Sequence, residues 1–212
     1  MNIEVWSDFV CPFCYMGERK FEMALEQFPH KNEVVVEFKS FELNMDKTDY
    51  KGKDIHQIIA DKYGISYENA KENNDRIVQA ASEVGLSYRF DILKLNNTRL
   101  AHQIAQYAKS VGKGNELVNR FFKGYFEEGK NIGDKDTLLK MSQEVGIDIE
   151  DLNIKLETGT FDQLVEEDEQ LASRIGINSV PYFVIDNKYA VSGAQNPEYF
   201  LQALNQVYDQ TF

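Results

Sequence analysis

Polar and apolar residues alternate at the start of the chain, over Asn2-Ile3-Glu4-Val5-Trp6, as in a short strand with one buried face. The period then changes. Cys14, Gly17, Phe21, Ala24, Leu25 and Phe28 recur at helical spacing, and Pro29 ends that helix or lies just past it. Residues 33–41, Glu-Val-Val-Val-Glu-Phe-Lys-Ser-Phe, are rich in β-branched and aromatic side chains and predict a second strand. Strand, helix and strand make a βαβ unit, with Cys11-Pro12-Phe13-Cys14 at the helix N-terminus.

From about residue 54 to 175 the pattern is helical. Ile55, Ile58 and Ile59 share a face, as do Ile77, Ala80, Ala81 and Val84. Ala101, Ile104, Ala105, Ala108 and Val111 form a further stripe. Leu117, Val118, Phe121, Phe122, Tyr125 and Phe126 form the most aromatic one, which reads as core rather than as a ligand box. Leu138, Leu139 and Val145 follow, then Leu164, Val165, Leu171, Ala172 and Ile175. Many of these segments stop at a glycine (Gly85, Gly112, Gly129, Gly146, Gly176), the residue that takes the left-handed position past a helix without a Cβ penalty.

At residue 177 the pattern changes again. Ser179-Val180-Pro181 precedes the apolar strand Tyr182-Phe183-Val184-Ile185. Asp186-Asn187-Lys188 is a turn and Tyr189-Ala190-Val191-Ser192 its hairpin partner. Asn196 and Pro197 open a last helix, with Phe200, Leu201, Leu204, Val207 and Tyr208 as its core stripe. The layout is βαβ, a helical block, then ββα. It predicts an α/β fold, with residues 1–45 and 177–212 forming one discontinuous domain and residues 46–176 an inserted all-helical domain. A C-x-x-C pair beside a βαβ unit is a thioredoxin-like redox signal.

Charge narrows the partners. The net charge of −12, from 23 basic and 35 acidic residues, repels phosphate backbones and anionic lipid, and no Lys/Arg block offsets it. Nucleic acid and membranes are excluded as expected partners. No apolar run approaches the ~18 residues of a membrane span, and the N-terminus has neither a basic nor an apolar signal region, so a cytoplasmic location is expected.

The chain has 2 cysteines, both in the one motif. In a reducing cytosol such a pair is not a structural staple, and closing so short a loop would constrain the unfolded chain little. A structural zinc site needs four ligands, and His30, His56 and His102 are scattered. The motif therefore points to thiol chemistry, with no metal and no bound cofactor. Disulfide exchange needs a thiolate, and a thiol at a helix N-terminus meets unpaired N–H groups and the positive dipole end. Pro12 at the first helical position suits that start. The expected roles are attack by Cys11 and resolution by Cys14. Phe13 offers no charge and no hydrogen-bond donor, which predicts a potential between about −270 and −200 mV. Asp8 is either a loop carboxylate or a modulator of the thiols. His102 is either a satisfied helix histidine or one that faces the cleft and moves protons. Pro181 is either a strand-start proline or a functional backbone turn.

Three stretches carry a resemblance across nearly the whole chain: Ser7-Asp8-Phe9-Val10-Cys11-Pro12-Phe13-Cys14-Tyr15-Met16-Gly17, Asn97-Thr98-Arg99-Leu100-Ala101-His102, and Val180-Pro181-Tyr182-Phe183-Val184-Ile185 with Gly193-Ala194-Gln195. With these the chain resembles the DsbA-like family of the thioredoxin superfamily, and within it the cytosolic FrnE-type branch. The resemblance implies a thioredoxin fold with an inserted helical domain, dithiol redox activity, and a cis Val180–Pro181 bond facing the cysteines. The branch is often Cys-Pro-Trp-Cys; Phe13 keeps the aromatic ring and loses the indole N–H. Expected partners are protein or peptide disulfides and a cellular thiol reductant such as glutathione. Two other functions compete. One is a glutathione-dependent transferase or isomerase of the kappa or 2-hydroxychromene-2-carboxylate type, which has a serine where Cys11 stands. The other is a non-catalytic binding module of the same fold.

Overall fold

The computed structural model describes residues 1–43 and 53–211. Strand β1 (Asn2–Ser7) leads through a short loop into helix α1 (Pro12–Gln27), which returns the chain to β2 (Val35–Ser40). Seven helices follow: α2 (Ile55–Tyr63), α3 (Tyr67–Ser82), α4 (Arg99–Ser110), α5 (Gly114–Phe126), α6 (Lys135–Glu144), α7 (Ile149–Glu157) and α8 (Thr160–Arg174). The hairpin β3 (Tyr182–Ile185) and β4 (Tyr189–Ser192) and helix α9 (Pro197–Thr211) close the chain.

The strands form one sheet in the order β2-β1-β3-β4. β1 runs parallel to β2, with Asn2 opposite Val35, and antiparallel to β3, with Val5 opposite Phe183. β3 and β4 are antiparallel, and Asp186 and Asn187 both take positive φ in the turn between them. This mixed sheet, split by the helical insertion, is a thioredoxin fold.

One face of the sheet is sealed by α1 and α9. Ile3, Val5, Phe183, Ile185 and Val191 pack there with Phe21, Ala24 and Phe28, and with Phe200, Leu204 and Val207. Phe28 ends α1 in an extended conformation, as the residue before a proline must, and is fully buried. Trp6 points to the opposite face, against Ala172 and Ile177, and its indole N–H reaches the Asp168 carbonyl 3.5 Å away.

The largest core joins the start of α1 to the helices. Phe9 is its plug: its ring lies 5.3 Å from Phe38, 5.5 Å from Phe121, 5.3 Å from Phe122 and 4.9 Å from the His102 ring. The aromatic stripe of α5 is buried along its whole length, as its period predicts. Burying an aromatic side chain removes 150–250 Å² from water, so this cluster dominates the apolar driving force for seating the helices on the cysteine end of α1.

Three local expectations need correction. The second strand begins at Val35 rather than residue 33, because Lys31–Glu33 close a 3-10 turn and the Met1 amino group takes the Glu33 carbonyl. The stretch from Val84 to Thr98 is non-helical apart from a 3-10 turn at Phe90–Ile92. Val111 and Ile175, expected on buried stripes, are about half exposed at 48% and 52%; both sit at helix C-caps, where the chain has already left the helical path. The domain boundary expected at residues 45 and 46 lies outside the described residues.

Candidate active site

Cys11 is the N-cap of α1, with φ −87° and ψ 112°, and Pro12 is the first helical residue. The turn is built from backbone: Cys11 N–H donates to the Asp8 carbonyl at 3.0 Å, and Cys14 N–H to the Cys11 carbonyl at 3.0 Å. The two cysteines stand as separate thiols. Cys14 is 1% exposed and Cys11 5%, yet only Cys11 lines a cavity. Phe13, between them, is exposed.

Burial pushes the Cys14 thiol well up, and the neighbouring Cys11 adds to the rise. The Ser7 hydroxyl and the Asp8 N–H, which donates to Cys14 Sγ at 3.5 Å, pull weakly the other way. Cys14 is therefore held as a thiol through the neutral range, beneath a sulfur that opens outward.

The Val180–Pro181 peptide bond is cis. The Cys11 thiol points to the Val180 carbonyl at 3.8 Å, so this turn lies beside the outer sulfur. Its approach requires Gly17: a Cβ there would lie 2.8 Å from Pro181 Cγ and 3.4 Å from Ala194. The Gly193-Ala194-Gln195 stretch locks the turn from behind. Gly193 N–H donates to the Pro181 carbonyl at 2.9 Å, and Lys20 Nζ to the Ala194 carbonyl at 3.2 Å.

Asp8 and His102 meet although 94 residues separate them: His102 Nε2 lies 3.2 Å from Asp8 Oδ1, and both side chains are fully buried. The other Asp8 oxygen accepts the Leu43 N–H at 2.7 Å. His102 packs at a tilt on Phe9 and stacks on Phe38, and it does not line the cavity, so it is a buried helix histidine rather than a cleft group. Arg99, in the same sequence stretch, pairs with Glu42 at 2.9 Å and Asp162 at 2.6 Å, tying the chain after β2 to α8. His30 stacks on Tyr208 at 3.8 Å and His56 bonds Asn74 at 2.9 Å; neither lines the cavity at Cys11.

Two features have no periodic signal in the sequence. One is a cavity of about 540 Å³ beside Cys11, roofed by Ile59 and Ile77 of α2 and α3, with Leu93, Tyr125 and Val180 on its walls. Such a volume is typical of ligand pockets. Tyr125 and Phe126 are thus core residues that also show an edge to the site. The other is Tyr88, whose hydroxyl donates to the Pro12 carbonyl at 2.7 Å.

A family model for the DSBA-like thioredoxin domain matches residues 2–205. The chain belongs to this family. A crystal structure of a probable DsbA oxidoreductase from Streptomyces coelicolor superposes with a TM-score of 0.92 at 34% identity, over 100% of this chain and 92% of that one. The Bacillus subtilis protein YwbO is 29% identical over 207 residues, 97% of this chain and 96% of YwbO. The cytosolic disulfide reductase DsbM from Pseudomonas aeruginosa, solved with glutathione, shares the fold at a TM-score of 0.70 and 13% identity, over 99% of this chain and 100% of DsbM. In this DsbA-like chain no helix among the described residues is long and apolar enough to cross a membrane.

Proposed function

We propose that the protein is a cytoplasmic dithiol–disulfide oxidoreductase that reduces or isomerises protein and peptide disulfides through Cys11 and Cys14. The observation that carries this reading is the inequality of the two thiols: Cys11 opens into the cavity beside the Val180–Pro181 turn, while Cys14 is sealed beneath it and held protonated.

The steps balance. Cys11, as thiolate, attacks one sulfur of the substrate disulfide and the other leaves as a thiolate, which takes up a proton. A mixed disulfide now joins Cys11 to the substrate. Cys14 loses its proton and attacks Cys11 Sγ, forming the Cys11–Cys14 disulfide and expelling the second substrate thiol. Two electrons have passed from the dithiol to the substrate. Two equivalents of a cellular thiol, such as glutathione, restore the dithiol and form one disulfide of their own. The protein's part is to hold Cys11 at a helix N-terminus and to keep Cys14 near it and dry. The cysteines carry the electrons, so the reaction needs no bound cofactor.

The test is exchange with a peptide disulfide. Cys11→Ser abolishes it; Cys14→Ser accumulates a Cys11–substrate mixed disulfide visible by mass. Exchange at the wild-type rate in Cys11→Ser sinks the proposal. Glutathione-dependent turnover of a small electrophile in both variants would favour the isomerase-type reading instead.

A further inference from the structure

Tyr88 sits in the non-helical stretch after α3, far in sequence from the cysteines, yet its hydroxyl donates to the carbonyl of Pro12, between them, at 2.7 Å. The ring is 5% exposed and has little freedom. It stacks on Phe126 at 4.6 Å and on Tyr15 at 5.9 Å, and the next residue, Arg89, is pinned to α5 by its N–H to the Phe126 carbonyl at 2.8 Å. Tyr88 does not line the cavity, so it is not a substrate contact.

We infer that Tyr88 is a positioning residue through which the helical insertion sets the redox equilibrium of the Cys11–Cys14 pair. The inference rests on the dithiol reading above. Two effects follow from the geometry. The hydrogen bond fixes the Pro12–Phe13 peptide, and with it the turn that must carry both sulfurs from a dithiol to a disulfide, whose geometry is narrow. The phenolic O–H also turns its positive end toward the first turn of α1, the place where negative charge gathers on the attacking thiolate. Burial pushes the Tyr88 phenol far up, and Tyr15 and both cysteines add to the rise. The phenol thus stays a donor wherever the protein is folded. The bond is made to the Pro12 carbonyl and not to a sulfur; the donor favours the reduced pair by polarising the Pro12–Phe13 peptide at the head of the helix, which strengthens the positive end that faces a thiolate there.

Tyr88→Phe removes the hydroxyl and keeps the stacked ring. Equilibrated with glutathione buffers and quantified by mass, it should shift toward the disulfide by about threefold to tenfold relative to wild type, a potential about 15 to 30 mV more negative. Iodoacetamide should alkylate its Cys11 more slowly. Incorporation of 3-fluorotyrosine at position 88, a stronger donor of nearly the same shape, should move the equilibrium the other way. A merely structural tyrosine lowers stability and moves neither readout, and an unchanged midpoint and alkylation rate in Tyr88→Phe overturn the inference. If Tyr88→Phe does not fold, the fluorotyrosine protein decides, and an unchanged midpoint there is equally fatal. Absence of any reversible couple in the wild type counts against the dithiol reading itself.

Discussion

The backbone N–H of Asp8 points at the sulfur of Cys14, 3.5 Å away, while the Asp8 side chain turns from the cysteines to His102. One residue thus links the inner thiol to a helix that follows more than 80 residues of intervening chain. The Asp8 carbonyl also takes the Cys11 N–H, so the loop before α1 touches both cysteines through main chain alone.

Removing the carboxylate should therefore act through packing. Asp8→Ala takes the acceptor from the half-buried Leu43 N–H and leaves the fully buried His102 imidazole without its carboxylate, and breaking such a buried pair costs about 3 kcal/mol. Urea unfolding of the reduced protein measures this. A loss under about 0.5 kcal/mol, the scatter of ordinary surface substitutions, would contradict it.

The two thiols should separate under alkylation. Native reduced protein treated with iodoacetamide at pH 7.5 should take one adduct, on Cys11, with Cys14 reacting only after denaturant is added. The sign at high pH follows from the same burial. Cys14 has a folded-state pKa above its unfolded value, so its contribution to stability is complete below the unfolded thiol pKa, about 8.5, and is lost as pH rises above that. Melting temperature of the reduced protein should fall from pH 8 to pH 10, and less so in Cys14→Ala. An equal fall in both proteins counts against it.

Gly17→Ala tests the approach of the turn to α1. The new methyl meets Pro181 Cγ at 2.8 Å, and overpacking of this kind costs about 1–3 kcal/mol. The displaced turn carries the Val180 carbonyl away from Cys11, so peptide disulfide exchange should slow several-fold as well. Wild-type stability together with wild-type exchange would show that the contact is slack.

Glu18 gives a second pH signature. Burial raises its carboxyl to about 8, and the Glu22 charge one turn along α1 adds to the rise. A raised carboxyl contributes stability at low pH and loses it between the unfolded value, about 4.3, and 8. Glu18→Gln should therefore match wild type near pH 4 and exceed it by about 1 kcal/mol at pH 9. The solvent contact that Glu18 retains limits the gain. A gain that is the same at both pH values would assign the effect to something other than this carboxyl.

The ends of the fold were legible because their periods are local. Alternation marks β1, and a helical stripe starting at a C-x-x-C places Cys11 at the head of α1. The α5 stripe likewise announces the core it fills. What the sequence hides is pairing at a distance. Asp8 and His102 stand in two stretches that the resemblance itself singles out, but nothing in either states that one oxygen of the first faces the ring of the second. Tyr88 lies in an aperiodic stretch, where a tyrosine beside Pro12 looks like any other loop tyrosine. The cavity is assembled from a few residues each of α1, α2, α3 and α5, the stretch after α3 and the Val180 turn, and its aliphatic members each read alone as ordinary core positions.

The most direct measurement is the redox equilibrium of Cys11 and Cys14 against glutathione, with thiol state followed by mass. The account predicts a reversible two-electron couple with a midpoint between about −270 and −200 mV. A midpoint near −120 mV would contradict the reducing role, and a stable glutathione adduct on Cys11 with no Cys11–Cys14 disulfide would contradict dithiol catalysis altogether.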